Sequence, residues 1–405
     1  MRRMAAGPDQ RGRSGPPTEQ TLREALRDVI DPELGDNVVD LGMVPSIAIS
    51  SDGRVVADVA LTIAACPLRN QLERDVVARL SALAGVTAVE VRVSTMDPEA
   101  RSAVMARARW KARESAPATA VPSTTRVLAI ASGKGGVGKS SVTVNLAVAL
   151  ARRGLEVGVL DADIWGFSVP RLLGMEGGVE ARGGKMIPQE RRIGNGLLRV
   201  LSMGFLADED RAIMWRGLVL NRAVQQFLQD ADWGTPSYLV IDLPPGTGDI
   251  QMGLARLLPR TELLVVTTPP LAAQLVAARA ADMARRGYLR VAGVIENMSD
   301  FTCEHGTSYS LFGSGGGQRL ADEIGVPLIG KIPIHPDLAA AGDAGDPVAG
   351  GDSELAAVFA ELARTVAEEV APVLETSGCT ARLLDHVEAA LAQAERDPTA
   401  VAQGG

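Results

Sequence analysis

Residues 132–141 read Ser132-Gly133-Lys134-Gly135-Gly136-Val137-Gly138-Lys139-Ser140-Ser141. A short apolar run, Val127 to Ala131, precedes this stretch, and an amphipathic segment begins near Val142. Strand, glycine-rich loop, then helix is the setting of a phosphate-binding loop, and the pattern G-x-x-x-x-G-K-S is met in full. Glycines let successive backbone N–H groups turn towards one anion, and the helix N-terminus behind them adds partial positive charge. All ten residues except Ser132 are therefore candidate nucleotide contacts: Gly133, Lys134, Gly135, Gly136, Val137, Gly138, Lys139, Ser140 and Ser141. Lys139 is expected to reach the β- and γ-phosphates, and the Ser140 hydroxyl to ligate Mg2+. Lys134 is a second lysine inside the loop, beyond what the basic pattern requires.

Outward from this loop the chain alternates strand and helix from Thr125 onward. Apolar runs at Val127–Ala131, Val157–Leu160, Leu198–Ser202, Leu239–Asp242, Leu263–Thr267, Val291–Ile295 and Pro327–Ile332 predict strands. Near-continuous apolar runs between helices indicate an α/β fold, a mostly parallel sheet with helices on both faces. The helix from Val142 is expected to end at Arg152-Arg153-Gly154, a basic last turn followed by glycine.

Phosphate loops act at the carboxyl ends of parallel strands, so the other strand ends are where chemistry is expected. One ends in Asp161-Ala162-Asp163, where a carboxylate can orient the attacking water or hold Mg2+ through water. Another ends in Asp242-Leu243-Pro244-Pro245-Gly246-Thr247-Gly248-Asp249; its first carboxylate suits the metal side, and the glycine-rich segment suits a sensor of the γ-phosphate. A third ends in Glu296-Asn297-Met298, and the Asn297 amide can both donate to and accept from a purine edge, although an Asx-turn is the plainer reading. The last, Lys331-Ile332-Pro333-Ile334-His335, brings Pro333 to the same edge, with its backbone available to the base.

At 405 residues the chain has room for two or three domains. Residues 1–18, rich in Arg, Gly and Pro, predict a disordered lead, and 19–95 a small α/β unit with two helices and two strands. Residues 96–124 crowd Arg101, Arg107, Arg109, Lys111 and Arg113 and predict a solvated, partly helical linker, with a docking surface for an acidic partner as the lesser reading. The nucleotide-binding domain spans 125–375, and 376–405 carry one more helix, Thr380 to Ala394, with a frayed end. A composition of 46% hydrophobic and 22% charged residues fits a globular protein. The net charge of −8 argues against a whole-surface nucleic-acid binder, though not against a local basic patch, and no apolar run of membrane-spanning length occurs. The N-terminus lacks the apolar core of a secretory signal, and three cysteines, Cys66, Cys303 and Cys379, suit a reducing cytoplasm.

Four motifs together resemble the Mrp/ApbC iron–sulfur carrier ATPases of the deviant Walker-A group, which also includes MinD and ParA. They are Lys134–Ser140, Leu160-Asp161-Ala162-Asp163-Ile164, Asp242–Asp249 and Glu296-Asn297-Met298-Ser299. Met214-Trp215-Arg216-Gly217, Phe312-Gly313-Ser314-Gly315-Gly316-Gly317 and Gly342–Val348 extend the resemblance over roughly 125–370. Asp31-Pro32-Glu33, Val38–Gly42 and Thr62 to Cys66-Pro67 resemble the small domain of iron–sulfur assembly factors. The resemblance implies a homodimer that binds ATP and Mg2+, hydrolyses ATP slowly as a conformational switch, and hands clusters from assembly factors to apoprotein clients. It implies that Lys134 crosses to the partner's nucleotide while Lys139 serves its own, that Asp163 activates water, that Asp161 and Asp242 lie on the Mg2+ side, and that Asn297 contacts adenine.

The cargo site departs from that pattern. The family carries C-x-x-C after the E-N-M-S motif, so that two subunits offer four thiolates to one [4Fe–4S] cluster; here the stretch is Cys303-Glu304-His305-Gly306. Two readings stand: Cys303 binds a labile cluster with help from His305, Glu304 or an outside thiol, or cluster binding has weakened here. Cys66 is either buried or takes a metal or cluster-transfer role; Cys379 reads as incidental, and His335 and His386 read as structural. A positioning ATPase on membrane or nucleoid is the competing function, but residues 380–397 set Arg382 and Arg396 against Asp385, Glu388, Glu395 and Asp397, a balance anionic lipid would repel. A ligase or kinase lacks a recognisable substrate pocket, and a nitrogenase-type reductase lacks cysteines after the nucleotide switches.

Overall fold

The structure is a computed structural model that describes residues 17–31, 36–62, 69–114, 116–163, 166–205, 217–246 and 248–373. Residues 1–16 of the lead expected to be disordered, Cys66, Trp215, Cys379, His386 and the helix expected at Thr380 to Ala394 lie outside those residues. Contacts divide the chain into two units, one up to Ser115 and one from Ala116.

The first unit contains α1 (Glu19–Leu26), β1 (Ile30–Asp31), β2 (Asp36–Asn37), β3 (Ser46–Ile49), β4 (Arg54–Leu61), α2 (Arg69–Ser81), β5 (Ala88–Thr95) and α3 (Pro98–Glu114). β3 is antiparallel to β4 and β4 is parallel to β5, giving a three-stranded sheet. Leu22 and Leu26 of α1 and Leu72, Val76 and Leu80 of α2 are buried, as their i, i+4 spacing requires. Within the stretch expected as a partly helical linker, 98–114 is one continuous helix, with Val104 and Ala108 buried one turn apart. Farther on, Val121 is buried in the second unit and Ala120 N donates to Leu228 O at 2.7 Å. Of the arginines in that stretch, Arg101 and Arg107 lie exposed on this helix.

The second unit runs β6 (Arg126–Ser132), α4 (Lys139–Arg152), β7 (Glu156–Asp161), α5 (Val169–Leu172), β8 (Glu180–Arg182), β9 (Lys185–Ile187), β10 (Gln189–Ile193), β11 (Gly196–Ser202), α6 (Gly217–Asp230), β12 (Tyr238–Asp242) and α7 (Gly248–Leu257). It continues with β13 (Glu262–Thr267), α8 (Leu271–Arg286), β14 (Arg290–Thr302), β15 (Ser308–Tyr309), α9 (Gly316–Ile324), β16 (Leu328–Ile334), α10 (Pro336–Ala344) and α11 (Glu354–Thr365). The main sheet has the order β10-β11-β7-β12-β6-β13-β14-β15, with β16 also paired to β14. Every pairing is parallel except β10 on β11 and β15 on β14. All seven apolar runs became parallel strands.

Alternate side chains of β6 enter opposite cores: Val127, Ala129 and Ala131 join Phe227, Trp233 and Leu254, while Leu128 and Ile130 join Leu146, Leu150 and Phe359. Burial on both faces explains why these strands are apolar throughout rather than alternating. The buried polar tips of Trp233 and Tyr238 are satisfied, with Trp233 Nε1 donating to Phe227 O at 2.9 Å and Tyr238 Oη to Ala371 O at 2.7 Å. α4 ends as expected at Arg152, and Gly154 takes the left-handed φ of +84°.

Candidate functional site

Sheet register assembles the site. Asp242, last in β12, lies opposite Asp161 of β7 on one side and Ile130 of β6 on the other. Both carboxylates therefore emerge beside the loop that follows Ser132. That loop is held flush against its surroundings: a Cβ on Gly133 would overlap the backbone of Val276 and Ala277 in α8, and Gly246 N donates to Ser132 O at 3.0 Å. Gly136 and Gly138 have φ of +78° and +80°, a conformation that turns the loop back into α4 and disfavours side chains. α4 begins at Lys139, a turn earlier than the amphipathic pattern suggested.

Three side chains of α4 converge on Asp242, which is wholly buried. Lys139 Nζ lies 2.6 Å from Oδ1, Ser140 Oγ donates to Oδ2 at 2.5 Å, and Thr143 Oγ1 donates to Oδ1 at 2.7 Å. Asp163 Oδ2 stands 3.9 Å from the same ammonium, and Asp163 Oδ1 accepts from Gly166 N at 3.2 Å. Asp163 keeps 8% exposure whereas Asp161 and Asp242 have none, so of the three it is the one open towards water.

Asp161, expected on the Mg2+ side, is held by four donors of the fold. Its Oδ1 accepts from Asp163 N at 3.1 Å, and its Oδ2 accepts from Ser168 N and Val169 N at 3.2 Å each and from Ser202 Oγ at 3.0 Å. With both oxygens occupied, it ties the 163–169 segment and the end of β11 to β7. Burial first, and the Asp242 charge second, push this carboxyl up to about 7, against the pull of the N–H donors.

Asn297 meets the loop, not open solvent. It is 2% exposed, its Nδ2 donates to Val137 O at 2.8 Å, and its Oδ1 is buried without a hydrogen-bond partner. A Cβ on Gly138 would overlap that amide, and the same position lies 3.9 Å from Met298 Cε. Met298 itself takes a φ of +56°, in the stretch where the β14–β16 register shifts. Glu296 accepts from Gly317 N at the start of α9, which explains why the E-N-M-S and G-S-G-G-G motifs occur together. Pro333 lies within β16, and His335 caps α10, its Nδ1 accepting from Asp337 N at 3.2 Å.

Lys134 is exposed, and the helix backing Gly133 carries Leu271 and Leu275, 64% and 53% exposed. Beyond Met298, β14 continues into a hairpin with β15. Cys303 N donates to Thr307 O and Gly306 N to Cys303 O, each at 2.9 Å, so Cys303 opens the turn and Gly306 closes it at φ +77°. A cysteine in place of Gly306 would hold a left-handed backbone at a cost of about 1–2 kcal/mol. The N–H groups of His305 and then Thr307 hold the Cys303 thiol below the ordinary range, favouring the thiolate that binds metal. Among the described residues no group of three or more His, Cys, Asp or Glu side chains is placed to hold a metal ion, and no helix is long and apolar enough to cross a membrane.

Thr143 and Ser202 were not foreseen as site residues. Thr143 falls four positions after Lys139, the spacing that puts two side chains on one helix face, and that signal was open to reading. Ser202, the last residue of a predicted strand, carried none beyond its place.

Comparison with known proteins gives a match over residues 123–370 to the family described as NUBPL iron-transfer P-loop NTPase, and over 19–93 to the iron-sulfur cluster assembly protein family. The iron-sulfur cluster carrier protein of Mycobacterium leprae (strain TN) is 44% identical over 338 residues, covering 82% of this chain and 87% of the relative. That of Synechocystis sp. is 39% identical over 357 residues, covering 87% and 97%. A solved nucleotide-binding protein from Archaeoglobus fulgidus, in complex with ADP, is 36% identical and covers 54% of this chain and 86% of its own, with a TM-score of 0.47.

Proposed function

The chain belongs to the iron-transfer P-loop NTPases, and on that footing we propose that it binds and hydrolyses ATP to control the carriage of iron–sulfur clusters to recipient apoproteins. The observation that carries the proposal is a single strand: β14 bears Asn297, bonded to the phosphate loop, and runs on into the Cys303 hairpin. A change at the nucleotide loop thus has a direct covalent route to the cargo thiol. The relatives named as cluster carriers support the same reading.

In this account the Lys139 ammonium leaves Asp242 for the β- and γ-phosphates, and the loop N–H groups from Gly133 to Ser141 hold the remaining phosphate oxygens. Ser140 and Asp242, hard oxygen donors gathered around a cationic ammonium, fit Mg2+. Bound there, the ion would neutralise charge on the β- and γ-phosphates. Asp163, the one carboxylate of the three that keeps any exposure, orients the attacking water, and ATP and water give ADP and phosphate. Asp161 acts by fixing the segment that carries Asp163 rather than on the metal side. With its Nδ2 committed to Val137, Asn297 offers an acceptor, which suits the 6-amino group of adenine better than the carbonyl of guanine. Pro333 would flank the same base.

Exposed Lys134 beside Leu271 and Leu275 supports a homodimer in which Lys134 reaches the partner's γ-phosphate, adding a second cation where charge develops. Turnover is slow because hydrolysis resets a switch. The cargo, a labile [4Fe–4S] cluster, is held by Cys303 of each subunit with His305, Glu304 or an outside thiol completing the set. Iron–sulfur assembly factors load it in a reducing cytoplasm, and neither membrane nor nucleic acid takes part. Anaerobic reconstitution of wild type and Cys303→Ala tests the assignment: iron, sulfide and cluster absorption are expected in wild type and lost in the variant. Equal absence from both would remove the cargo site.

A further inference from the structure

Thr143 is completely buried in the second turn of α4, and its hydroxyl is 2.7 Å from Asp242 Oδ1 and 3.0 Å from the Lys139 carbonyl. The hydroxyl has one proton to donate, and the carboxylate is the stronger acceptor. Asp242 has two other side-chain partners, Lys139 and Ser140, and both belong to the loop chemistry that turns towards phosphate and metal. Thr143 has no such second task. It sits a turn deeper, enclosed by the core, with no path to a bound phosphate. The main chain of Asp242 is fixed by the sheet and by Ala162 N, which donates to Asp242 O at 2.9 Å. What remains to be fixed is the carboxylate plane.

We propose that Thr143 is a positioning residue for the metal side of the site, holding the Asp242 carboxylate in place when Lys139 and Ser140 turn to phosphate and Mg2+. The inference rests on the Mg2+–nucleotide reading given above. Its physical basis is that a buried carboxylate stripped of donors is costly and reorients to find others. Carboxylates that face a metal are themselves hydrogen-bonded, and losing such a partner lowers metal affinity by about 10–100-fold.

Equilibrium binding of ATP to the full chain, in EDTA and across a Mg2+ titration, separates the possibilities for wild type, Thr143→Val and Thr143→Ser. Valine keeps the shape and removes the hydroxyl; serine keeps the hydroxyl. In EDTA, Thr143→Val is expected to bind ATP as wild type does, while the Mg2+ concentration that gives half of the Mg2+-dependent tightening rises about tenfold or more. Thr143→Ser is expected to restore the wild-type Mg2+ response. A wild-type Mg2+ response in Thr143→Val overturns the proposal. So does an equal loss of ATP binding with and without Mg2+, which would make Thr143 a packing residue of the loop. Should Thr143→Val not fold, Thr143→Ala is read by the same titration and the same criteria. Failure of the Mg2+–nucleotide reading itself would show in the wild-type arm alone, as ATP binding that is absent or indifferent to Mg2+.

Discussion

Lys139 Nζ and Asp242 Oδ1 lie 2.6 Å apart, with the lysine 6% exposed and the aspartate fully buried. The same lysine is the residue a phosphate would claim, so anion binding competes with an internal ion pair. Lys139→Ala should abolish ATP binding and also destabilise the fold by about 3 kcal/mol, because a buried carboxylate loses its counter-charge. Asp242→Asn should instead keep ATP binding in EDTA and lose the enhancement by Mg2+. Isothermal titration with and without Mg2+, alongside thermal unfolding, checks both; an Asp242→Asn protein that binds ATP with the wild-type Mg2+ dependence contradicts the pairing.

Lys134 is exposed where Lys139 is buried, and the two lysines should separate cleanly in experiment. Lys134→Ala should change stability by less than about 0.5 kcal/mol, the usual range for a surface substitution. ATP binding should persist while turnover falls on the order of 10³-fold, as when an arginine finger is removed. Single-turnover hydrolysis measured against protein concentration reads this out. Full turnover in the variant would end the dimer-crossing role.

Gly138 and Asn297 form a coupled pair, since a Cβ on the one overlaps the amide of the other. Gly138→Ala is strained twice, by that overlap and by the φ of +80°, which alone costs about 1–3 kcal/mol. Asn297→Ala relieves the overlap but not the backbone strain. Chemical denaturation of both single variants and the double variant should therefore show a favourable coupling of roughly 1 kcal/mol. Strict additivity would mean that the two residues do not press on each other.

Much of this was readable beforehand, and what was not has identifiable causes. Strands buried on both faces announce themselves as apolar runs, and the phosphate loop and the aspartates at strand ends depend on local spacing. β8, β9 and β10 carry no such signal: Glu180–Arg182, Lys185–Ile187 and Gln189–Ile193 are exposed or half-buried, and charged residues interrupt each of them. α3 was hidden by its arginines, because among its described side chains only Val104 and Ala108 are buried. Three of the four partners of Asp161 are backbone N–H groups, and that of Asn297 is a backbone carbonyl, which no residue type discloses. The hairpin explains Gly306 in a way composition does not: the turn selects glycine for its backbone, at the place where a second thiol was expected.

Burial and the neighbouring Asp242 raise the Asp161 carboxyl from an ordinary 3.8 to about 7. Between those values the folded protein keeps a proton that the unfolded chain has released, so stability due to this group falls as pH rises from about 4 to about 7 and is level above. In EDTA, the melting temperature of wild type minus that of Asp161→Asn should decline across that window. A constant difference would mean that Asp161 ionises in the fold as it does in the unfolded chain.

The central claim is that the nucleotide site governs a cluster held at Cys303. The most direct measurement is anaerobic transfer of iron and sulfide from the reconstituted protein to an apo-aconitase-type acceptor, with and without ATP, for wild type, Lys139→Ala and Cys303→Ala. The account predicts transfer by wild type that responds to ATP, transfer by Lys139→Ala that does not respond, and none by Cys303→Ala. Transfer that is the same for all three proteins, whether or not ATP is present, would contradict it.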